Sequence, residues 1–125
     1  NFENSHLKME WNCGITATPT LEDKIIQFRA SGIRVKLPNF APALNLVGTQ
    51  IPIFPWVKLP AEIRSEGEPN KGRYMTIREA AAIQGMQDLN FSSLSSTRTL
   101  EALGNAINVT LVRRIAKLLL NDEQQ

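Results

Sequence analysis

The residue types that could carry chemistry in this 125-residue chain are one cysteine, one histidine and a concentration of bases. His6 has no cysteine or paired carboxylate beside it, so a surface histidine is expected and no metal site. Cys13 cannot form a disulfide within the chain, and a lone thiol fits a reducing cytosol. The bases are therefore the first guide to function.

The bases cluster in the middle of the sequence. Between Lys24 and Arg78 nine basic residues face three acidic ones, a net charge of +6 in a chain whose total is +2. The bases are Lys24, Arg29, Arg34, Lys36, Lys58, Arg64, Lys71, Arg73 and Arg78, and the acids are Glu62, Glu66 and Glu68. Such a patch suits a polyanion such as nucleic acid and would respond to salt. On charge alone, an ordinary solvated surface has equal weight.

Composition limits the class of protein. Hydrophobic residues make up 42% and charged residues 21% of the chain, as in ordinary one-domain globular proteins. No stretch approaches the ~20 apolar residues of a membrane span and no secretory leader opens the chain, so we expect a soluble cytoplasmic protein without a membrane partner. The first residue is Asn rather than Met, which suggests a cut, processed or trimmed chain.

The elements that must position the bases begin with an irregular lead-in over residues 1–19. A capping pattern at residues 20–23, with Gly32 as a stop, predicts a short helix over residues 21–31. Alternation in residues 33–37 then predicts a half-buried strand on which Arg34 and Lys36 share the outer face. A strand is also expected over residues 43–47. Another over residues 51–57 is expected at a sheet edge, because its two prolines lack ladder donors.

The second part of the sequence is predicted to be helical. Residues 61–72 lack apolar rhythm and are expected to form an exposed loop. A capping box from Thr76 to Glu79 predicts a helix through Gln84 that ends at Gly85. Serines at 92, 93, 95 and 96 indicate a connection. Apolar residues at 107, 111, 115 and 118 then predict an amphipathic helix with Gly104-Asn105 at its start.

Two of these segments resemble the last two conserved motifs of DNA cytosine-5 methyltransferases. The run Arg73-Tyr-Met-Thr-Ile-Arg-Glu-Ala-Ala-Ala-Ile-Gln-Gly-Met86 is similar to the family pattern Arg-x-x-Thr-x-Arg-Glu-x-x-x-x-Gln-Gly. Gly104-Asn105 with the following amphipathic run is similar to the closing Gly-Asn helix. Upstream, residues 32–36 and 40–44 are similar to the end of the target-recognition domain. The resemblance covers about residues 32–120 and implies the C-terminal part of such an enzyme.

The resemblance implies an α+β fold: a small irregular β-rich recognition region followed by two or three helices, incomplete without a Rossmann-like catalytic domain. It places recognition in residues 1–72 and the closing helical segment in residues 73–125. In this family a cysteine thiolate attacks C6 of a flipped-out cytosine, and C5 takes a methyl group from S-adenosylmethionine. The Pro-Cys, Glu-Asn-Val and glycine-rich cofactor motifs are not in this sequence, and no proline precedes Cys13. We therefore expect a partly buried structural thiol at Cys13, no catalytic residue, and a chain that is inactive alone.

The resemblance also implies roles for individual residues. Double-stranded DNA is the expected partner, together with a catalytic domain or subunit, and S-adenosylmethionine is the expected cofactor once that domain is present. Expected DNA contacts are Arg34, Lys36, Ala43, Leu44, Thr49, Gln50 and Arg73. Asn105, Ala106 and Ile107 are expected to border the cofactor, although Ala106 lacks the hydroxyl that a serine in many members supplies. Thr76, Arg78, Glu79, Gln84, Gly85 and Gly104 are expected to be structural.

Other features leave alternatives open. Trp11 and Trp56 are expected to be core or interface anchors more often than base-stacking platforms. The apolar face of the last helix needs a cover, and in an isolated fragment it would drive self-association. Two rival functions remain: a stand-alone DNA-binding module without catalysis, and a plain structural domain whose motifs are accidental.

Overall fold

The computed structural model describes residues 8–122, which form five strands and three α-helices. Contacts divide the chain into two compact units, Asn1–Met75 and Thr76–Gln125. All five strands lie in the first unit and the helices in the second, so the predicted α+β class is confirmed. No helix in the described residues has the length and apolar character needed to cross a bilayer.

The first unit is built on one mixed sheet. Its strands are β1 (Met9–Asn12), β2 (Ile25–Arg29), β3 (Gly32–Lys36), β4 (Ile53–Lys58) and β5 (Lys71–Tyr74), in the order β1-β3-β2-β4-β5. β1 runs parallel to β3, and the other neighbours are antiparallel. The predicted strand at Arg34 and Lys36 is confirmed as β3.

The predicted helix over residues 21–31 is wrong, because this segment contains β2 and the turn into β3. Ile25, Ile26 and Phe28 are residue types that favour strands, and the Thr20 hydroxyl caps a turn rather than a helix, accepting from the Glu22 amide at 3.3 Å. Gly32 has φ +133°, and a Cβ there would lie 2.3 Å from the Lys8 carbonyl oxygen. Gly32 is therefore a tight hairpin position beside the chain entering β1. The irregular lead-in was also only partly right, since it contains β1.

Three further expectations for the first unit fail. Residues 43–47 form no strand but an irregular segment that buries Leu46 at 2% exposure. β4 is not an edge strand, since it lies between β2 and β5. Pro52 precedes β4, and Pro55 within it is tolerated because β4 pairs with β2 at Ile26–Ile53 and the register with β5 shifts between Phe54 and Lys58. The loop predicted over residues 61–72 includes a 3₁₀ turn, Ala61–Ile63, and the start of β5.

The second unit contains α1 (Ile77–Ile83), α2 (Ser96–Asn105) and α3 (Val109–Asp122). The capping box predicted for α1 is present: the Thr76 hydroxyl accepts from the Glu79 amide, and the Glu79 carboxylate accepts from the Thr76 amide. The predicted stop at Gly85 is confirmed by its φ of +71°. Ser95 and Ser96 begin α2 rather than extend a connection, because the Ser95 hydroxyl accepts from the Arg98 amide.

The placement of Gly104-Asn105 at the start of the last helix is wrong. Both residues belong to the end of α2, and α3 begins at Val109. Leu103, Ala80 and Ala81 are buried and form much of the small core of this unit. The predicted amphipathic pattern is present in α3, but within the described residues its apolar side chains are exposed, for example Ile115 at 49% and Leu118 at 67%.

Candidate functional site

Glu10 holds the basic side chains of the hairpin. Arg34 lies directly opposite Glu10 in the β1–β3 pairing, and its guanidinium donates to the Glu10 carboxylate at 3.0 Å. Arg29 donates to the same carboxylate oxygen at 3.3 Å. The predicted DNA contact Arg34 is thus half-buried and ion-paired. Lys36, two residues further along β3, is also half-buried.

Gln27 ties the predicted recognition loop, residues 43–50, to the sheet. Its side chain is 1% exposed, and its amide nitrogen donates to the carbonyl oxygens of Ala43 at 3.3 Å and Gln50 at 2.7 Å. Gln27 pairs with Arg34 across the β2–β3 ladder. Directly paired residues share a sheet face. Arg34 and both ends of this loop therefore lie on the side of the sheet that carries the buried Gln27 side chain.

Some of the predicted DNA contacts in this loop are exposed to solvent, whereas others form hydrogen bonds within the loop. Ala43 and Thr49 are exposed and Leu44 is half-buried. The Gln50 side chain accepts from the Asn45 amide group at 2.8 Å. Thr49 therefore has the freer side chain of the two polar candidates, whereas Gln50 serves the loop through both its backbone and its side chain.

An aromatic and basic surface on β4 and β5 was largely missed from the sequence. The Phe54 and Trp56 ring centroids are 5.4 Å apart at an interplanar angle of 40°. The Arg73 guanidinium lies 5.5 Å from the Phe54 centroid, and Phe54 pairs with Arg73 across the strands. Trp56 is 39% exposed, so a core position is excluded for it. The feature of the sequence that could have indicated this surface is the i, i+2 spacing of Phe54 and Trp56.

Two lysines extend this surface. Lys58 pairs with Lys71 across the β4–β5 ladder, and both are exposed. No carboxylate in residues 8–122 forms an ion pair with either of them. Trp56 and Lys71 also border a cleft of about 430 Å³ whose other walls are Glu22, Asp23 and Pro55.

Cys13 is in an environment that suppresses thiolate chemistry. Its side chain is buried at 6% exposure. Burial raises the pKa of the Cys13 thiol, an effect that the charge of Lys24 partly offsets and that of Asp23 increases. Cys13 was expected to be partly buried, and the structure buries it. Lys24 is buried as well, and its ammonium donates to Asp23, which lowers the pKa of that carboxyl.

The closing motifs are joined through Gln84. Its side-chain amide donates to the carbonyl oxygens of Leu103 at 2.9 Å and Ala106 at 3.0 Å, and its own carbonyl accepts from the Val109 amide at 3.0 Å. Asn108 completes the junction by donating to the Ile83 carbonyl. The end of α1 is thereby fixed to the α2–α3 connection. The predicted cofactor residues lie here, Asn105 as the last residue of α2 and Ala106 and Ile107 at the start of the connection.

The predicted cofactor residues differ in what they can offer. Asn105 and Ile107 are exposed, Ile107 at 71%. Ala106 is half-buried, its amide donates to the Leu103 carbonyl, and its carbonyl accepts from Gln84. A cofactor could therefore be met by the side chains on either side of Ala106, with the Ala106 backbone holding the connection in place.

The remaining predicted structural residues are also located. Gly104 is half-buried in the last turn of α2. Arg78 is exposed and borders a cleft of about 570 Å³ lined mainly by residues 87–92. Within the described residues no group of histidine, cysteine and carboxylate side chains could hold a metal ion. His6 lies outside the described residues.

Comparisons with known proteins agree on one family. A family profile described as C-5 cytosine-specific DNA methylase matches residues 14–121. The chain is 33% identical over 117 residues to the type II methyltransferase M.AluI of Cellulosimicrobium cellulans. That match covers 93% of this chain but 19% of the relative, so the chain spans about a fifth of the relative's length. No solved structure gives a significant match.

Proposed function

The chain belongs to the C-5 cytosine-specific DNA methylases, and from that premise we propose that it supplies the DNA-recognition and cofactor-completing portion of such an enzyme. The groups that make and break bonds lie on a catalytic domain or subunit outside these residues. The transferred group is the methyl of S-adenosylmethionine and the acceptor is C5 of cytosine in double-stranded DNA. This chain alone is inactive.

The observation that carries the proposal is the state of Cys13. Nucleophilic cysteines are accessible and have a lowered pKa. Cys13 is the one cysteine of the chain, and it is buried with a raised pKa. A reaction that begins with a thiolate attack therefore requires a thiol from elsewhere, which supports a division of labour between recognition and chemistry.

The sheet unit is assigned to recognition. Duplex DNA presents distinguishable base edges in its major groove, and the loop over residues 43–50 offers Thr49 and the small side chain of Ala43 at an exposed position. Lys36 and Arg73 contribute positive charge on the neighbouring strands. Glu10 accepts a hydrogen bond from Arg34. Arg34 therefore contacts DNA either while it keeps this ion pair or after the ion pair has opened.

The helical unit is assigned to the cofactor side. S-adenosylmethionine is the methyl donor when bound; Asn105 and Ile107 fit an edge contact with it, because both are exposed beside a connection fixed by Gln84. Ala106 keeps that connection rigid. The exposed apolar side chains of α3 are proposed to pack against the catalytic domain, which would cover Leu111, Ile115 and Leu118.

A complementation assay tests the proposal. The purified chain is mixed with a separately expressed catalytic part that bears the Pro-Cys and Glu-Asn-Val motifs, and transfer of labelled methyl groups to duplex DNA is measured. We expect transfer from the mixture and none from either part. Methylated cytosine produced by this chain alone, or an inactive mixture with a cognate partner, would contradict the proposal.

A variant pair sharpens the same assay. Cys13→Ala should leave the activity of the mixture unchanged, because the nucleophile belongs to the partner. The corresponding substitution of the partner's Pro-Cys cysteine should abolish it. Family membership gives no support to the alternative of a stand-alone DNA-binding module.

A further inference from the structure

Ion pairs within the sheet unit remove several bases from the surface that the sequence predicts for DNA. Lys24 is buried against Asp23, and Arg29 and Arg34 share the Glu10 carboxylate. Two carboxylates thus offset two of these three positive charges, because Arg29 and Arg34 share one acceptor. The β2–β3 hairpin is therefore less positive than its sequence suggests.

Two lysines supply exposed positive charge on β4 and β5. Lys58 and Lys71 are exposed, lie opposite each other, and have no carboxylate partner in residues 8–122. Arg73 pairs with Phe54 across the two strands, and Lys71 borders the same cleft as Trp56. Two acids, Glu22 and Asp23, line that cleft, and Asp23 is ion-paired with Lys24. The two lysines therefore supply positive charge beside the aromatic residues.

The aromatic residues of this surface are held in a fixed arrangement. Phe54 contacts both the Trp56 ring and the Arg73 guanidinium. Trp56 lies in the register shift of β4, between the paired residues Phe54 and Lys58, and its side chain is exposed. A large apolar ring is thus presented to solvent between cationic groups. This combination fits the alternating apolar sugars and anionic phosphates of a nucleic-acid backbone.

We propose that the face formed by Phe54, Trp56, Lys58, Lys71 and Arg73 binds the sugar-phosphate backbone of duplex DNA. Lys58 and Lys71 contact phosphates, and Trp56 packs against deoxyribose. Lysine is a flexible point charge that positions a backbone without reading sequence. The face therefore sets the register of the protein on DNA, while other residues read the bases. This inference rests on the proposed function and names the surface through which it operates.

Salt dependence of binding by the full chain tests the lysines. Each phosphate contact contributes about −0.9 to the slope of log affinity against log salt, so Lys58→Ala and Lys71→Ala should each reduce the slope by about that amount. At 0.1 M salt this corresponds to roughly eightfold weaker binding per lysine, and the loss should be equal for unrelated duplex sequences. Lys8→Ala is the matched control, since Lys8 is exposed beside β1 at the opposite edge of the sheet.

Trp56 provides a direct signal of contact. The chain has two tryptophans, so Trp11→Phe leaves Trp56 as the single indole fluorophore. Its emission should change on titration with duplex DNA and saturate together with the anisotropy of a labelled duplex. The difference between the native chain and Trp56→Phe reports the same signal and does not depend on the folding of Trp11→Phe. Circular dichroism confirms the fold of each variant.

The outcomes separate this surface from the proposed function. DNA binding with a Trp56 response and reduced salt slopes supports the surface. Binding without a Trp56 response and with unchanged slopes overturns the surface and leaves the proposed function intact. A loss restricted to particular sequences overturns the backbone role. Absence of binding at low salt also overturns the surface, and the complementation assay then decides the proposed function independently.

Discussion

Gly85 combines a left-handed backbone with a crowded neighbour. Its φ is +71°, and a Cβ would lie 2.8 Å from the Thr110 hydroxyl oxygen and 3.4 Å from the Thr110 amide nitrogen. The two residues of the Gln-Gly pair therefore have separate physical roles: Gln84 donates to the α2–α3 connection, and Gly85 allows α3 to begin close by.

Gly85→Ala should destabilise the chain by about 2 kcal/mol or more, because the left-handed conformation alone costs roughly 1–2 kcal/mol and the contact with Thr110 adds to it. Chemical denaturation measures the change. Gly48→Ala is the matched control, since Gly48 has φ +55° but nothing within 4 Å of an ideal Cβ. The Gly85→Ala loss should exceed the Gly48→Ala loss, and Thr110→Ala should recover part of the difference. Equal losses at the two glycines would refute the role of the close contact.

At the scale of residues, local signals were readable and long-range partners were not. The Thr76–Glu79 capping box involves groups three residues apart, so the sequence was sufficient to predict it. Arg34 and Glu10 are 24 residues apart, and their pairing depends on a parallel strand that the sequence did not indicate. A count of charges therefore predicted the positive character of residues 24–78, but it could not show which of the bases are held in ion pairs.

Asn108 joins two elements with one side chain. Its carbonyl oxygen accepts from the Leu111 amide at 2.9 Å, which caps α3, and its amide nitrogen donates to the Ile83 carbonyl at the end of α1. One residue thus both starts the last helix and fixes it to the first helix of the unit.

Substitutions at Asn108 should separate these two contributions. Asn108→Ser retains a capping oxygen and loses the bond to Ile83, so we expect a loss of about 1 kcal/mol in unfolding free energy. Asn108→Ala loses both and should cost about 2 kcal/mol. Urea unfolding measures both variants. Asn90→Ala serves as a reference, because Asn90 is exposed and accepts within its own turn. Equal losses of unfolding free energy for Asn108→Ala and Asn108→Ser would contradict the two separate roles of this side chain.

At the scale of elements, the errors came from glycines and from prolines. Gly32 was taken as a helix stop, but it serves a hairpin in which the chain approaches Lys8. Pro52 and Pro55 were taken as signs of an edge strand, but Pro52 precedes β4, and short and shifted pairings on both sides let this interior strand contain Pro55. In each case the same residue type fits two structures, and only tertiary pairing decides between them.

At the scale of the whole molecule, periodicity and capping predicted individual strands and helices, and the family resemblance implied the α+β class with a β-rich part followed by helices. The sheet order β1-β3-β2-β4-β5 was not, because a parallel β1–β3 pairing depends on contacts distant in sequence. The family resemblance identified the segments that resemble the closing motifs, but it placed Gly104-Asn105 at the start of the last helix, whereas both residues end α2. The joining of these segments by Gln84 could not be inferred, since hydrogen bonds to carbonyl groups leave no trace in residue type.

The two compact units also suggest how the proposed function is divided. Unit Asn1–Met75 contains the charged and aromatic surfaces, and unit Thr76–Gln125 contains the cofactor candidates and the exposed apolar side of α3. The proposed boundary near residue 72 lies close to this division. Recognition of DNA and attachment to a catalytic domain can therefore be changed separately by substitution.

Transfer of target specificity tests the central claim most directly. This chain replaces the matching segment of a cytosine-5 methyltransferase that has a known and different target, and bisulfite sequencing maps the cytosines that the hybrid methylates. We predict that methylation moves to a new sequence determined by this chain. An active hybrid that still methylates the original target would contradict the account.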